Sequence, residues 1–271
     1  MLTSRVTLAF ARRVAIAFRD DDCAFMAAAV AYQLFFSLLP LLLLSVGVIA
    51  LFVSSEELRT EVVNLLRGVY PGLADRRLVD ELVNSRGLTL GIGLVGTLWS
   101  VTTISAALDR ALFGVFGGNR RSFIRGRLEG LLLAALLTSL AVLSFALSFL
   151  VQAFAGWLRT VGIAPIQRVA IELLGPLTGF VAGFILFDLI YLIVPRRRLP
   201  RRVRVAGAFT AAALWEVAKI GFAILTREVH VFSAYGVLAL AAGLLTWIYL
   251  TALIFLLGAE VMKAWPERAS T

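Results

Sequence analysis

The sequence has 271 residues, of which 60% are hydrophobic and 16% are charged, and its formal net charge is +9. Soluble globular domains are about 45–50% apolar and about 25% charged, so this composition excludes an ordinary soluble protein and predicts a polytopic membrane protein. The only cysteine is Cys23, which excludes an intramolecular disulfide and any cysteine-rich metal or CxxC redox centre.

Six apolar segments are long enough to cross a bilayer, because about 20 residues in a helix span roughly 30 Å of hydrocarbon. They predict an all-α fold, a polytopic membrane helix bundle with six transmembrane helices, an N-terminal amphipathic helix and a short helical outer loop. The expected domains are a cytoplasmic or interfacial segment (1–23), a single transmembrane domain (24–265) with its outer helical loop (54–87), and a cytoplasmic tail (266–271). The six predicted spans are Phe25–Val53, Leu88–Leu108, Gly130–Leu150, Leu173–Val194, Val205–Leu225 and Gly236–Val261.

The first 22 residues do not have the pattern of a cleavable signal peptide, because arginines interrupt them and no apolar core follows a basic start. Apolar residues instead recur on one side of a helix, which predicts an amphipathic helix lying at the membrane interface. These residues are Val6, Phe10, Val14, Ala17 and Phe18.

The first span contains polar residues and a proline in the stretch AYQLFFSLLP. Pro40 removes the backbone hydrogen bond to the Phe36 carbonyl and tends to kink a helix, and Ser37 is near enough to help satisfy the loosened backbone. Gln33 needs a hydrogen-bonding partner inside the bundle, because burying an unpaired amide is costly.

The segment Ser54–Arg86 is the only sizeable extramembrane region between the spans. Ser54 and Glu57 have capping-box spacing, and Pro71 and Gly72 separate two short stretches with helical periodicity. We interpret the segment as a pair of amphipathic helices on the outer rim of the bundle, and the alternative is a cap that binds a partner or gates a path.

The fourth span contains a GxxxGxxxG series, Gly175, Gly179 and Gly183. Small residues on one face let helices approach closely in lipid, so the series predicts tight packing within the bundle, with dimerisation as the alternative. Asp188 follows on the same span and is expected in the inner half of the bilayer.

Two pairs of opposite charges lie in the last two spans. Glu216 and Lys219 are near the middle of the fifth span and share a helix face at this spacing. They form either a structural ion pair or a polar site facing a cavity, since ionisable groups in a membrane are costly and usually face protein or water. Glu260 and Lys263 repeat the spacing at the end of the sixth span and predict an interfacial ion pair with a snorkelling lysine.

The basic residues divide unequally between the two sides of the predicted bundle. Seventeen of the 26 Lys and Arg fall on the side of the two termini and eight on the other, with Lys219 inside a span. Positive residues favour the cytoplasm, so both termini are predicted to be cytoplasmic. We assign the cluster PRRRLPRRVR (195–204) to topology and to anionic lipid headgroups, rather than to nucleic acid.

The sequence offers little for catalysis. His230 is the only histidine, there is no GxSxG motif, and the carboxylates are scattered. We therefore expect no enzyme activity, no catalytic residues, no metal and no cofactor. The absence of a GxxxxGK[ST] loop means that active transport would need an ion gradient or a partner ATPase.

Three blocks of the sequence resemble the YihY/BrkB family of bacterial inner-membrane proteins: AAAVAYQLFFSLLPLLLL (27–44), GAFTAAALWEVAKIGFAI (207–224) and YGVLALAAGLLTWIYLTALIFLLGAEV (235–261). The resemblance implies six spans with both termini in the cytoplasm. Members have been labelled ribonuclease BN-like or linked to virulence, and some have been proposed to move lipids. This sequence contains no plausible nuclease site that would support the first label. Asp109 stands where an asparagine is expected. The matching positions are Tyr32, Ser37, Pro40, Glu216, Lys219, Gly221, Phe222, Tyr235, Gly236, Gly258, Ala259 and Glu260.

The preferred functional hypothesis is a bacterial inner-membrane protein that transports or flips lipid-like envelope molecules. Its path would be an intramembrane polar site formed by Gln33, Asp188, Glu216 and Lys219. The rival hypothesis is a non-transporting scaffold or assembly partner of an envelope complex, and a membrane ribonuclease is a remote third. The expected partners are membrane lipids, with a second copy of the chain or an envelope protein as alternatives.

Overall fold

The computed structural model describes residues 2–52, 60, 85–117, 164–195, 199–228 and 238–265. The secondary structure in these ranges is helical throughout, so the all-α prediction is confirmed for the described part of the chain. The long helices are α1 (Leu2–Asp20), α2 (Cys23–Phe52), α3 (Arg86–Phe116), α4 (Ala164–Ile193), α5 (Arg201–Glu228) and α6 (Ala239–Ala264).

Four of these helices contain segments long and apolar enough to cross a membrane, namely Cys23–Ser45, Gly87–Phe116, Arg201–Thr226 and Ala239–Ala264. They correspond to the first, second, fifth and sixth predicted spans. Helix α4 covers the fourth predicted span and carries a shorter apolar stretch, Leu177–Ile193. The third predicted span, almost all of the outer loop and the tail lie outside the described residues, so a total of six spans stays a prediction.

Helix α1 covers most of the N-terminal segment, and two of its apolar side chains contact protein. Val14 is buried, and the Phe10 ring packs edge-on against Trp265 just beyond α6, with 6.2 Å between ring centroids. The arginines Arg12 and Arg13 are on the exposed side. The position of α1 at a membrane interface stays a prediction.

Helix α3 is longer than the predicted second span, which ends at Leu108. It continues to Phe116 because apolar residues recur at helical spacing beyond that point and are buried. These residues are Leu108, Ala111, Leu112 and Val115.

The chain divides into two compact units, residues 33–104 and residues 1–32 with 105–271. In the smaller unit, the later part of α2 runs antiparallel to the first part of α3. A Cβ at Gly93 would lie 2.7 Å from the Leu44 Cα, and one at Gly96 would lie 2.8 Å from the Pro40 Cβ. The two helices therefore touch through glycine positions.

Pro40 lies inside α2, and the helix continues on both sides of it. Ser37 donates a hydrogen bond of 2.6 Å to the carbonyl of Leu34, three residues earlier. This differs from the expectation that Ser37 serves the backbone loosened by Pro40, which is the Phe36 carbonyl. A serine hydroxyl in a helix reaches back toward the preceding turn, so the Leu34 carbonyl is its natural acceptor.

In the larger unit, α5 packs against both α4 and α6, and α1 packs against α6. Helices α5 and α6 approach closely at two glycines, since a Cβ on Gly207 would lie 2.8 Å from the Gly258 carbonyl oxygen. The buried Tyr191 of α4 reaches α6 at the same level and donates a 2.5 Å hydrogen bond to the Phe255 carbonyl. This packing fixes the α4–α5 interface that holds the charged residues.

Candidate polar site between helices α4 and α5

The centre of the candidate site is the charge pair on α5. The Nζ atom of Lys219 lies 2.6 Å from Oε1 of Glu216, as a charge contact without the alignment of a hydrogen bond. The Glu216 side chain is mostly buried, at 19% exposure, and the Lys219 side chain is partly exposed, at 34%. Lys219 Nζ also lies 4.7 Å from the ring centroid of Trp215, a cation–π distance.

The predicted glycine series makes room for this pair. A Cβ on Gly179 would lie 2.9 Å from Lys219 Nζ and 3.1 Å from Glu216 Oε1, and one on Gly183 would lie 3.2 Å from the Trp215 ring. These two glycines therefore pack against α5. Gly175 belongs to the part of α4 whose side-chain surroundings lie outside the described residues.

A second charge pair joins the same two helices. The Arg204 Nε donates a 2.7 Å hydrogen bond to Oδ1 of Asp188, and both side chains are mostly buried. Asp188 follows Gly179 by nine residues, which is about 13 Å along a helix. The α4–α5 interface therefore carries charges at two levels, and Asp188 does not join the Glu216–Lys219 pair directly.

Aromatic rings lie between the two charge levels. Phe187 is buried, and its ring centroid is 6.5 Å from that of Trp215 in an edge-to-face arrangement. Trp215 donates a 3.3 Å hydrogen bond from its indole nitrogen to the Thr251 hydroxyl, which links α5 to α6. The indole is thus held between an apolar neighbour and the cation of Lys219.

Gln33 is half-buried and lies at the start of the smaller unit. The other three residues of the predicted polar site belong to the larger unit. The structure thus brings Glu216 and Lys219 together, gives Asp188 a different partner, and leaves the participation of Gln33 as a prediction.

The predicted ion pair between Glu260 and Lys263 differs from the arrangement that the structure shows. Lys263 pairs with Asp21, at the turn between α1 and α2. Glu260 is fully buried and accepts a weak 3.5 Å contact from the Cys23 thiol. The long lysine side chain reaches the mostly buried carboxylate of Asp21, while the shorter glutamate side chain contacts Cys23 in the first turn of α2.

Three members of these pairs were not predicted as site residues, namely Arg204, Trp215 and Asp21. A signal for Arg204 exists in the sequence, because Asp188 lies near the end of α4 and Arg204 near the start of α5, on either side of a short connection. Antiparallel helices joined by a short connection bring such residues together. Asp21 has no comparable signal, since it lies 242 positions from its partner Lys263.

The chain also matches a known protein family over most of its length. The sequence profile of the family described as "Virulence factor BrkB" matches residues 14–271, which include all six long helices except the first part of α1. The chain belongs to the BrkB family.

Individual relatives of this BrkB-family chain are named as membrane proteins. It is 30% identical over 96% of its length to a "UPF0761 membrane protein" of Alkalilimnicola ehrlichii, and 28% identical over 91% to one of Halorhodospira halophila. It is 29% identical over 69% of its length to the "UPF0761 membrane protein YihY" of Salmonella typhimurium. The chain covers 59%, 54% and 62% of these relatives. No solved structure matches it.

The described part of the BrkB-family chain contains no group of three or more His, Cys, Asp or Glu side chains that could hold a metal ion. His230 lies outside the described residues. At the α4–α5 interface the described residues place one carboxylate, one ammonium group and one indole ring close together.

Proposed function

We propose that this BrkB-family protein is a multi-pass protein of the bacterial inner membrane that moves a lipid-like envelope molecule across the bilayer along the α4–α5 interface. Both termini would be cytoplasmic, as the distribution of arginines favours. The proposed role involves no bond cleavage. The carrying observation is the partly exposed Glu216–Lys219 pair near the middle of a candidate membrane span.

The axial position of the pair supports this function. The candidate span Arg201–Thr226 is centred between residues 213 and 214, so Glu216 lies about 4 Å and Lys219 about 8 Å from the centre along the helix axis. A charge at that depth is costly unless it faces protein or water. A pair that served only to join helices would be expected to be fully enclosed, whereas Lys219 keeps a third of its surface open.

The chemistry of the pair indicates the class of molecule. A lipid headgroup carries a phosphate, and many also carry an ammonium group, which Lys219 and Glu216 respectively complement. The surrounding surface is apolar, since the neighbouring residues Val217 and Ile220 are strongly exposed on α5, as a lipid chain or the bilayer requires. Asp188 and Arg204 offer a second pair of charges nearer the first turn of α5.

The function is tested by reconstituting the purified protein into liposomes that contain a fluorescent phospholipid. Dithionite added outside bleaches the outer leaflet, and further bleaching reports lipid movement. We expect the wild type to accelerate this phase. The Glu216→Gln/Lys219→Met double variant should slow it at least about tenfold, which corresponds to roughly 1.4 kcal/mol on the rate-limiting barrier.

A matched control uses the lipid-facing neighbours on the same helix. The Val217→Ala/Ile220→Ala double variant should retain the wild-type rate, because it leaves both charges and their contacts with Gly179 and Trp215 in place. Equal rates for wild type and the charge variant would contradict the proposal. Liposomes that stay inert, combined with an envelope protein that co-purifies at fixed stoichiometry, would favour the scaffold instead.

A further inference from the structure

Two carboxyl groups meet where the end of α6 packs against the turn between α1 and α2. Glu260 is 0% exposed, and its side chain interacts with the carboxyl group of Asp21. Its Oε1 accepts a 3.5 Å contact from the Cys23 thiol, and its Oε2 is buried without a donor in the part of the chain that the structure describes. An ionised carboxylate in this position would lack the hydrogen-bond donors that a buried charge needs.

One lysine is shared by these two acidic groups. The Lys263 ammonium pairs with Oδ2 of Asp21, which balances one carboxylate. An ionised Glu260 would add a second negative charge in a buried position, and two carboxylates in contact do not readily ionise together because they repel each other. A proton on Glu260 removes this charge and supplies an O–H donor for the Asp21 carboxylate.

The other described elements around this end of α6 present apolar groups or polar groups that have partners of their own. Gly258, two residues before Glu260, lies against Gly207 of α5 and the Tyr191 hydroxyl of α4. Tyr191 donates its hydrogen bond to the Phe255 carbonyl. Helices α1 and α3 contribute apolar side chains here, namely Phe10, Val115 and Phe116. The titratable groups that interact with Glu260 are Asp21, Cys23 and Lys263.

We propose that Glu260 and Asp21 form a proton-binding site in which one proton lies between the two carboxyl groups. Glu260 carries the proton and donates a hydrogen bond to Asp21, while Asp21 stays paired with Lys263. The proton exchanges with solution past Asp21 and Lys263, whose side chains are 20% and 37% exposed. Carboxyl groups within spans are common proton carriers in pumps and transporters. The site is separate from the Glu216–Lys219 pair and does not depend on whether the protein moves lipids.

The test is infrared spectroscopy of the detergent-purified full chain at neutral pH, because a protonated carboxyl group has a C=O stretching band separate from the bands of a carboxylate. We expect the wild type to show this band, to lose it in alkaline buffer, and to recover it when the pH is restored. The band should be absent from Glu260→Gln. The matched control is Glu216→Gln, which removes a carboxylate already paired with Lys219 and should retain the band.

Two further samples identify the protonated group and its partner without relying on Glu260→Gln. Wild-type chain grown with glutamate that carries heavy carbon in its carboxyl group should show the band at lower wavenumber, whereas labelled aspartate should leave the band in place. The double variant Asp21→Ala/Lys263→Met removes two opposite charges together, so Glu260 should keep its proton. The band should then move to higher wavenumber, because the O–H has lost its acceptor.

Several results would overturn the proposal. A wild type without the band at neutral pH would mean that both groups are ionised, as with a bound sodium ion or a lysine that bridges both carboxylates. A band that persists in Glu260→Gln, or that shifts with labelled aspartate, would place the proton elsewhere. A band that never disappears as the pH rises would mark a permanently neutral structural group. An unchanged wavenumber in Asp21→Ala/Lys263→Met would mean that Asp21 does not share the proton.

Discussion

At the scale of single residues, Glu260 has a different environment from the one that the sequence predicts. The sequence predicts an interfacial ion pair, and the structure shows a buried side chain that contacts Cys23. Its residue surface is 0% exposed, and Oε2 has no hydrogen-bond partner within the described part of the chain. Its Oε1 accepts a 3.5 Å contact from the Cys23 thiol, a weak donor, and the side chain also interacts with the Asp21 carboxyl group. A buried oxygen without a partner costs about 1–3 kcal/mol. Glu260 therefore contributes little to stability through hydrogen bonding.

This environment predicts the effect of an amide at position 260. Glu260→Gln keeps the shape of the side chain and an acceptor for Cys23, and it removes the buried carboxyl group. We expect the free energy of unfolding to stay unchanged or to rise by up to about 1 kcal/mol. Lys263→Met should lower it by about 0–1 kcal/mol, because the half-exposed pair with Asp21 is lost.

The measurement is the thermal or denaturant unfolding of both variants in one detergent. If Glu260→Gln destabilised the protein as much as Lys263→Met, and the double variant added nothing further, the two residues would act as one ion pair. That outcome would favour the pair that the sequence predicts over the contacts of Asp21 and Cys23.

At the scale of helices, the contacts depend on glycines at particular positions rather than on glycine content. Gly207 and Gly221 are both on α5, but only Gly207 has a neighbour in the way of a Cβ, namely Met262 and the Gly258 carbonyl oxygen at 2.8 Å. A Cβ on Gly221 would meet nothing within 4 Å. Replacing each of these glycines by alanine therefore separates the effect of helix packing on the free energy of unfolding from the effect of helix propensity.

Gly207→Ala should destabilise the protein by about 1–3 kcal/mol, because the α5–α6 contact must open to admit the methyl group. Gly221→Ala should be neutral or stabilising by up to about 1 kcal/mol, because alanine favours a helix. Unfolding of the two variants in the same detergent measures the difference. Equal effects would mean that α5 and α6 do not approach at Gly207.

The helices could be predicted from the sequence far better than their partners. Apolar runs of bilayer length locate α2, α3, α5 and α6 directly, because the hydrocarbon thickness dictates their length. The pairing of Lys263 with Asp21 could not be predicted, since it depends on how α1 and α6 pack. Glu216 and Lys219 were recognisable because one helix turn brings them together whatever surrounds them.

At the scale of the whole molecule, the described surface is that expected of a membrane protein with polar groups confined to a few places. Many large apolar side chains are exposed, among them Trp99, Val217 and Ile220. On α5 and α6 the charges lie at the α4–α5 interface and at the helix ends, and α3 carries Asp109 and Arg110. The proposed transport requires the α4–α5 interface to provide a hydrated route for charged groups.

The most direct measurement of this claim is the accessibility of spin labels along α5 in liposomes. Single cysteines would replace Lys219 and, as a matched neighbour, Ile220, which is 64% exposed, with Cys23 changed to Ala. We predict that the label at 219 collides mainly with a water-soluble nickel chelate, whereas the label at 220 collides mainly with oxygen dissolved in the bilayer. If both labels collided only with oxygen, position 219 would face lipid, and the account of a hydrated path at the α4–α5 interface would be contradicted.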